Sequence, residues 1–163
     1  KQASESLVEV YNQEFGLDYS FLRYGSLYGP RAQNWNGIKR FANQILKEGR
    51  IDYIGDGSER REYIHVIDAS KLSVKILEKE YENKAITVTG HQVMNSNEMM
   101  DMMFEISGKK KKINYIERDR DPDHYINTPY RFTPKTAIKL IPEEYFDLGQ
   151  GILEVIEEAS KEK

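Results

Sequence analysis

Residues 51–68 read IDYIGDGSERREYIHVID, and this stretch decides how the chain is interpreted. Apolar, β-branched and aromatic residues at both ends form two short β-like runs. Between them, residues 55–58 (GDGS) are of the types that tolerate turn geometry. Arg60 and Arg61 follow the turn, and because successive strand side chains point to opposite faces, at most one of them can contact a given ligand. The stretch predicts either an arginine that binds a phosphate or carboxylate, or a solvent-exposed hairpin.

A second informative segment lies upstream, where residues 21–30 read FLRYGSLYGP. Its first half is apolar and predicts a central strand that ends at Gly25 and Ser26, and Gly29 with Pro30 then forces a loop. Ligands of open α/β sheets bind beyond the carboxyl ends of the strands. We therefore expect residues 24–28 to lie at a binding site.

Composition limits the classes of function. The chain has 163 residues, of which 39% are hydrophobic and 31% charged, with a formal net charge of −3, so one globular domain with a core is expected. Nothing in this charge balance favours nucleic acid, and no apolar run suggests a membrane span or signal peptide, so we expect a cytoplasmic protein. The chain has no cysteine and its three histidines are far apart, so no metal site is expected.

Helical periodicity and turn residues predict the other elements. Helices are expected at residues 1–15, 38–47, 69–81 and 133–140, in a methionine-rich segment that opens between Asn95 and Asn97, and after Asp147. Asp68 is predicted to cap the helix at 69–81, whose buried residues should be Leu72, Val74, Ile76 and Leu77. Strands are expected at residues 85–89 and 113–116, and the methionines are predicted to fill the core.

Together, LRYGSLYGP and GDGSERREYIHVIDA resemble the extended short-chain dehydrogenases/reductases, and more narrowly the NAD-dependent nucleotide-sugar epimerases and dehydratases. That family usually carries Arg-x-x-Asn-x-Tyr-Gly-Pro, and later Gly-Asp-Gly followed by Arg-Asp-Phe/Tyr-Ile-x-Val-x-Asp. The resemblance covers about residues 1–158, but only the second half of a family member. It implies an α/β fold, the C-terminal portion of a Rossmann-like protein. We expect about residues 1–30 to end the Rossmann-like part and about residues 31–163 to form mostly the substrate-binding region.

The resemblance also implies a cofactor, NAD or NADP, in the parent protein. Lys1 matches the lysine of the family's Tyr-x-x-x-Lys motif, which binds the cofactor ribose and lowers the pKa of the catalytic tyrosine. That tyrosine would lie four residues before Lys1. Tyr24 and Gly25 would lie near the nicotinamide. The sequence contains no Gly-x-x-Gly-x-x-Gly turn, so we expect the dinucleotide-binding turn to lie outside this chain.

A nucleotide-diphosphate sugar is the substrate that the resemblance implies. Arg61 matches the arginine that holds the diphosphate, because it directly precedes Glu62-Tyr63-Ile64. Arg120, in Arg120-Asp121-Pro122-Asp123, resembles a second phosphate-contacting arginine, and Arg118 competes for that assignment.

Four further residues would contact the substrate. Tyr53, or the backbone beside it, falls where the family holds the nucleotide base. Ser26 replaces the usual substrate-contacting asparagine, and because its side chain is shorter and has no amide, the contact would be lost or made through a water. Asn36 and Gly37 begin a helix whose free backbone amides suit an anion, although simple capping by Asn36 explains the same residues.

Three hypotheses for the function follow. The first is the substrate-binding half of a nucleotide-sugar epimerase or dehydratase that is inactive as an isolated chain, because a tyrosine and a bound NAD are needed to remove a proton and a hydride from the sugar. The second is a non-catalytic sugar-nucleotide or regulatory binding module. The third is a folding unit whose first helix and strand 18–24 expose apolar faces and self-associate. The family commonly dimerises through this helix, so a homodimer is expected of the parent.

Overall fold

The computed structural model describes residues 1–91, 93–117 and 137–162. The helices are α1 (Gln2–Phe15), α2 (Gly37–Glu48), α3 (Val66–Lys75), α4 (Ser96–Ser107) and α5 (Leu148–Lys161), with a short 3₁₀-helix at Lys79–Tyr81. The strands are β1 (Ser20–Tyr24), β2 (Ser26–Tyr28), β3 (Ile51–Ile54), β4 (Arg60–His65), β5 (Lys84–Val88), β6 (Val93–Asn95), β7 (Ile113–Ile116) and β8 (Ile138–Leu140).

The strands form three small sheets in which most neighbours are parallel. One sheet has the order β1-β5-β8, the second β2-β4-β6, and the third pairs β3 with β7. Only the β4–β6 ladder is antiparallel among the described strands. Parallel neighbours linked by helices define an α/β protein, which confirms the predicted fold class.

Two apolar cores hold these layers together. The first lies among α2, α4, α5 and β3, and in it Met99, Met100 and Met103 have no exposed surface, which confirms that the methionines of α4 fill the core. The second packs α3 on β5 and includes Leu72, Ile76 and Ile86.

Side-chain caps fix where several helices begin. Asn95 caps α4 in a capping box with Glu98, which settles the choice that the sequence left open between Asn95 and Asn97. Asp147 caps α5 as predicted, because its Oδ1 accepts a hydrogen bond from the Gln150 amide at 2.9 Å.

The strands differ from the sequence-based prediction in three places. The strand predicted to end at Gly25 and Ser26 is β1, but Ser26–Tyr28 then form a second strand, β2, which the sequence analysis did not predict and which belongs to a different sheet. The hairpin alternative for residues 51–68 is wrong, because β3 and β4 also lie in different sheets. The helix expected at residues 133–140 is wrong in its described part, because Ile138–Leu140 form strand β8 beside β5, and residues 133–136 lie outside the described residues.

Helix α3 begins earlier and ends sooner than predicted. His65 is its cap, and Asp68 lies in its first turn, where Oδ2 accepts from the Phe146 amide at 2.7 Å. Leu72 and Ile76 are buried as expected, but Val74 and Leu77 are 68% and 83% exposed. Only one stripe of α3 is buried, and Val74 lies outside it, whereas Leu77 follows the end of the helix at Lys75.

Within the described ranges, no helix is both long and apolar enough to cross a membrane. The same residues contain no group of three or more His, Asp or Glu side chains arranged to hold a metal ion.

Candidate functional site

The chain changes sheets at Gly25, between β1 and β2. The Gly25 amide donates a hydrogen bond to the Val88 carbonyl at 2.8 Å, which keeps it on the first sheet. A Cβ atom at Gly25 would lie 2.8 Å from Oγ1 of Thr89 and 2.9 Å from the carbonyl oxygen of Glu62. Any larger residue would therefore push the two sheets apart.

The β2–β4 register brings the predicted diphosphate arginine to this crossing. Ser26 is the direct partner of Tyr63 in a parallel ladder, so Gly25 lies beside Glu62, next to Arg61. Arg61 is half-buried and its Nη1 donates to the Arg60 carbonyl at 3.0 Å, whereas Arg60 is exposed. The structure thus brings Tyr24, Gly25, Ser26 and Arg61 together at the ends of neighbouring strands.

Asn36 and Gly37 lie close to the same strand. Oδ1 of Asn36 accepts from the amides of Ile38 and Lys39 at 3.2 and 3.3 Å, and Nδ2 donates to the Leu27 carbonyl at 2.8 Å. The side chain of Asn36 is therefore used in capping α2 and in fastening it to β2. Gly37 is exposed, and no atom lies within 4 Å of a Cβ built on it, so its backbone is open to a ligand.

The side chain of Tyr53 lies in the core. It is 8% exposed, its ring centroid lies 5.8 Å from that of Phe41, and its hydroxyl donates to Oε2 of Glu59 at 2.8 Å. Burial raises the pKa of the Tyr53 phenol, and the carboxylate of Glu59 also raises it. The ring is thus a core group, and only the backbone of β3 remains for the predicted contact with a base.

An exposed tyrosine that the sequence analysis did not single out lies beside Tyr53. Tyr115 on β7 is the ladder partner of Tyr53, and its hydroxyl donates to Oδ1 of Asn97 at 2.7 Å. It borders an open cleft of about 650 Å³. The other residues that line the cleft are Gly55, Asp56, Ser58, Glu59, Ile116 and Glu117. The sequence places Tyr115 on a predicted strand, but the strand pattern does not show which of its side chains are exposed.

Helix α1 places Lys1 near the carboxyl end of β1. Arg23, one residue before Tyr24, donates from Nε and Nη2 to the two carboxylate oxygens of Glu5 at 2.9 and 2.5 Å. The hydrogen bond with Arg23 lowers the pKa of Glu5 below its usual range. Because Glu5 is in the first turn of α1, Lys1 lies at the end of the helix nearest the crossing.

Tyr24 points its hydroxyl away from any open site. The hydroxyl lies 2.6 Å from Oγ of Ser73 on α3, and the ring packs against the second core. Of the two predicted cofactor contacts, Tyr24 thus directs its side chain to α3, whereas the backbone of Gly25, against which Thr89 packs, lies at the crossing itself. Arg120 and Arg118 lie outside the described residues.

These groups suit a ligand that joins an anionic group to further polar oxygens. Ser26 begins β2 and Arg61 lies near the start of β4, so a hydroxyl and a guanidinium lie beside the carboxyl end of β1. Asn36 fastens the start of α2 to β2 nearby, and such donors suit phosphate and sugar oxygens.

Comparison with known proteins identifies relatives of this chain and the family to which it belongs. The chain is 26% identical over 160 residues to a putative UDP-glucose 4-epimerase of Methanocaldococcus jannaschii, covering 96% of this chain and 50% of that protein. It is 30% identical over 119 residues to the UDP-glucuronate 4-epimerase of Thermodesulfobacterium geofontis, covering 71% of this chain and 36% of that protein. The chain thus spans about half the length, or less, of the curated relatives that it matches.

Solved structures share the fold. The crystal structure of UDP-glucuronic acid 4-epimerase from Bacillus cereus, in complex with UDP-glucuronic acid and NAD, superposes with a TM-score of 0.83 at 20% identity. The superposition covers 100% of this chain and 52% of that one. It confirms the α/β fold and is consistent with a part of a Rossmann-like fold, since the chain matches about half of that structure. The profile of the NAD dependent epimerase/dehydratase family matches residues 1–90, more than half of the chain, and the chain belongs to that family.

Proposed function

We propose that the chain forms the nucleotide-sugar-binding half of an NAD-dependent nucleotide-sugar epimerase or dehydratase, and that the 163 residues alone do not turn substrate over. One observation carries the proposal. Arg61 directly precedes Glu62, whose backbone packs against Gly25, so a diphosphate on the guanidinium would put its sugar near the Gly25–Ser26 crossing. The relatives named above, which are epimerases of UDP-sugars, support this choice of ligand class.

Each residue has a role in this proposal. Arg61 binds the diphosphate through its planar guanidinium, and the open backbone at Gly37 adds donors at the start of α2. Ser26 contacts a sugar hydroxyl, and the base lies against the backbone of Tyr53 and the exposed Tyr115. Arg120 as a second phosphate ligand stays a prediction. Binding the remote diphosphate in this way orients the sugar for reaction.

Part of a nicotinamide site is also present. Where NAD binds, it accepts and returns the hydride of the reaction. In this proposal the backbone of Gly25 contacts the nicotinamide at the carboxyl end of β1, and Lys1 lies at the same end of that strand. The ammonium of Lys1 would bind the ribose and would favour the ionised form of a neighbouring tyrosine. The domain boundary near residue 30 and a cytoplasmic location stay predictions.

Calorimetric titration with UDP, GDP, CDP and dTDP tests the proposal. We expect one of the four diphosphates to bind, and Arg61→Ala to weaken that binding by about 1.5–3 kcal/mol, as the loss of a charged hydrogen bond requires. Arg60→Ala is the matched control, because the neighbouring arginine is exposed on the other face of β4 and should leave the affinity unchanged.

Two results would count against the assignment. Equal losses in both arginine variants would mean that only the net charge of β4 matters. Failure of all four diphosphates to bind the wild-type chain would contradict the proposal that these residues alone form the binding site.

A homodimer through α1 is the second part of the proposal. The helix has no buried residue, and its apolar side chains lie on the surface of the described structure. Such a stripe is typical of a helix that packs against another protein surface.

A further inference from the structure

A buried carboxylate joins the two sheets directly beneath the candidate site. Glu62 on β4 is 2% exposed. Its Oε1 accepts from Nζ of Lys139 on β8 at 2.9 Å, and its Oε2 accepts from the hydroxyl of Thr89, just beyond β5, at 2.8 Å. One side chain of the second sheet thus bonds to two positions of the first.

The backbone around this carboxylate is closely packed. The Thr89 amide donates to the Leu140 carbonyl at 3.2 Å, which fixes the end of β5 against β8. A Cβ atom at Gly90 would lie 1.9 Å from the Tyr63 carbonyl oxygen, and one at Gly25 would touch both Thr89 and Glu62. The sheets can therefore shift at this point only if the bonds of Glu62 break.

From these contacts we infer that Glu62 is a positioning residue, which sets the distance between the Gly25 turn and Arg61 through its bonds to Lys139 and Thr89. The inference rests on the proposed function for its ligand, a nucleoside diphosphate that must touch both elements. Glu62 itself touches no ligand in this scheme. Its backbone lies beside Gly25 and directly follows Arg61, and its side chain points to the face of β4 opposite that of Arg61.

Physical chemistry favours this role over a purely stabilising one. A buried ion pair adds little net stability relative to an apolar pair of similar volume, because both charges lose their hydration. The ion pair instead fixes the position of β4, because a carboxylate that bonds to two fixed donors can hold its strand in one place only. The two oxygens of the Glu62 carboxylate meet Lys139 and Thr89 at the same time.

Amide hydrogen exchange in the ligand-free chain tests the fixed geometry. We expect Glu62→Gln and Lys139→Met each to speed exchange of the Gly25 and Thr89 amides by about tenfold, with the amide of Gly49, which follows α2, unaffected.

Three further variants serve as controls. The double variant should exchange no faster than either single variant, because both substitutions break the same contact. Glu62→Asp should behave like Glu62→Gln, since the shorter side chain keeps the charge but loses the reach. Ile76→Val, a truncation in the second core without polar groups, controls for lower stability.

Calorimetry on the same variants tests the link to binding. Titration with UDP, GDP, CDP or dTDP, whichever binds the wild type, should show about tenfold weaker affinity in Glu62→Gln and Lys139→Met, the lower end of what outer-shell substitutions cost. Ile76→Val should bind as the wild type does when compared at equal folded fraction.

The outcomes separate this inference from the proposed function. Faster exchange confined to the crossing, with weaker binding, supports both. If the variants exchange faster but the wild-type chain binds no diphosphate, the result supports the positioning role of Glu62 and counts against the proposed function. Unchanged exchange at Gly25 and Thr89, or affinity losses equal to those of Ile76→Val, would overturn the positioning role of Glu62.

Discussion

At the scale of single residues, His65 combines a structural role with a titratable group. Its ring is 2% exposed and stacks on Phe146 with centroids 4.1 Å apart, and its Nδ1 accepts from the Ile67 amide at 3.4 Å. Its Nε2 lies 3.6 Å from Oε2 of Glu154 on α5. Burial lowers the pKa of His65 below its usual range, and the negative charges of Glu154 and Asp68 only partly oppose this.

This burial predicts a pH dependence of stability. The unfolded histidine takes up a proton near its ordinary pKa of about 6.5, whereas the folded one stays neutral to a lower pH. The stabilising contribution is therefore fully present above about pH 6.5 and is lost as the pH falls from there towards the lower folded pKa. Urea unfolding between pH 7.5 and about 5 should show a falling free energy of unfolding. His65→Asn keeps a capping side chain and should flatten the curve. Equal curves for the wild type and His65→Asn would refute the assignment.

Single residues also show how far the sequence could be read. The alternation of a strand sufficed to predict that Arg60 and Arg61 face opposite ways, and the structure has one exposed and one half-buried. The position of Tyr53 on a strand was equally clear, but its burial was not. That burial depends on Phe41 and Glu59, which reach the ring from elsewhere in the fold.

At the scale of elements, α4 illustrates what a cap contributes. The Asn95 side chain accepts from the Glu98 amide at 2.8 Å, and the Glu98 carboxylate accepts from the Asn95 amide at 2.9 Å. We expect Asn95→Ala to lower the free energy of unfolding by about 1 kcal/mol, since an amide at the start of α4 loses its acceptor. Asn95→Asp keeps an acceptor oxygen and should cost much less. Chemical denaturation of the three proteins measures both, and equal losses would show that the cap itself contributes nothing.

Helix starts were predicted better than sheet membership. Asn36 and Asp147 cap α2 and α5 as their local sequence indicates, because a cap depends on residues three or four positions away. The split of residues 20–28 into β1 and β2 could not be predicted in the same way. It arises because Gly25 fits under Thr89 and Glu62, which are contributed by distant parts of the chain. Strand β8 likewise exists because β5 offers it a partner.

At the scale of the whole molecule, polar contacts hold α1 while its apolar side remains uncovered. Glu5 bonds to Arg23, and Nδ2 of Asn12 donates to Oδ1 of Asn83 at 3.1 Å and to the Leu17 carbonyl at 3.0 Å. Leu7 and Phe15 are 59% and 68% exposed, and Tyr11 lies between them on the same stripe. The helix is thus fixed in place by its polar contacts and presents an apolar surface.

This surface predicts association between copies of the chain. Sedimentation velocity should show a concentration-dependent dimer, because pairing two such helices removes their apolar side chains from water. The variant Leu7→Glu with Tyr11→Lys should weaken association by about tenfold or more while supporting the helix, since glutamate four residues before lysine is a favourable pair. Leu77→Glu changes a leucine outside α1 that is even more exposed than Leu7, and should leave the dimer intact. A wild-type chain that stays monomeric at every concentration would contradict dimerisation through α1, and a dimer lost equally in both variants would show that general hydrophobicity, rather than this helix, drives it.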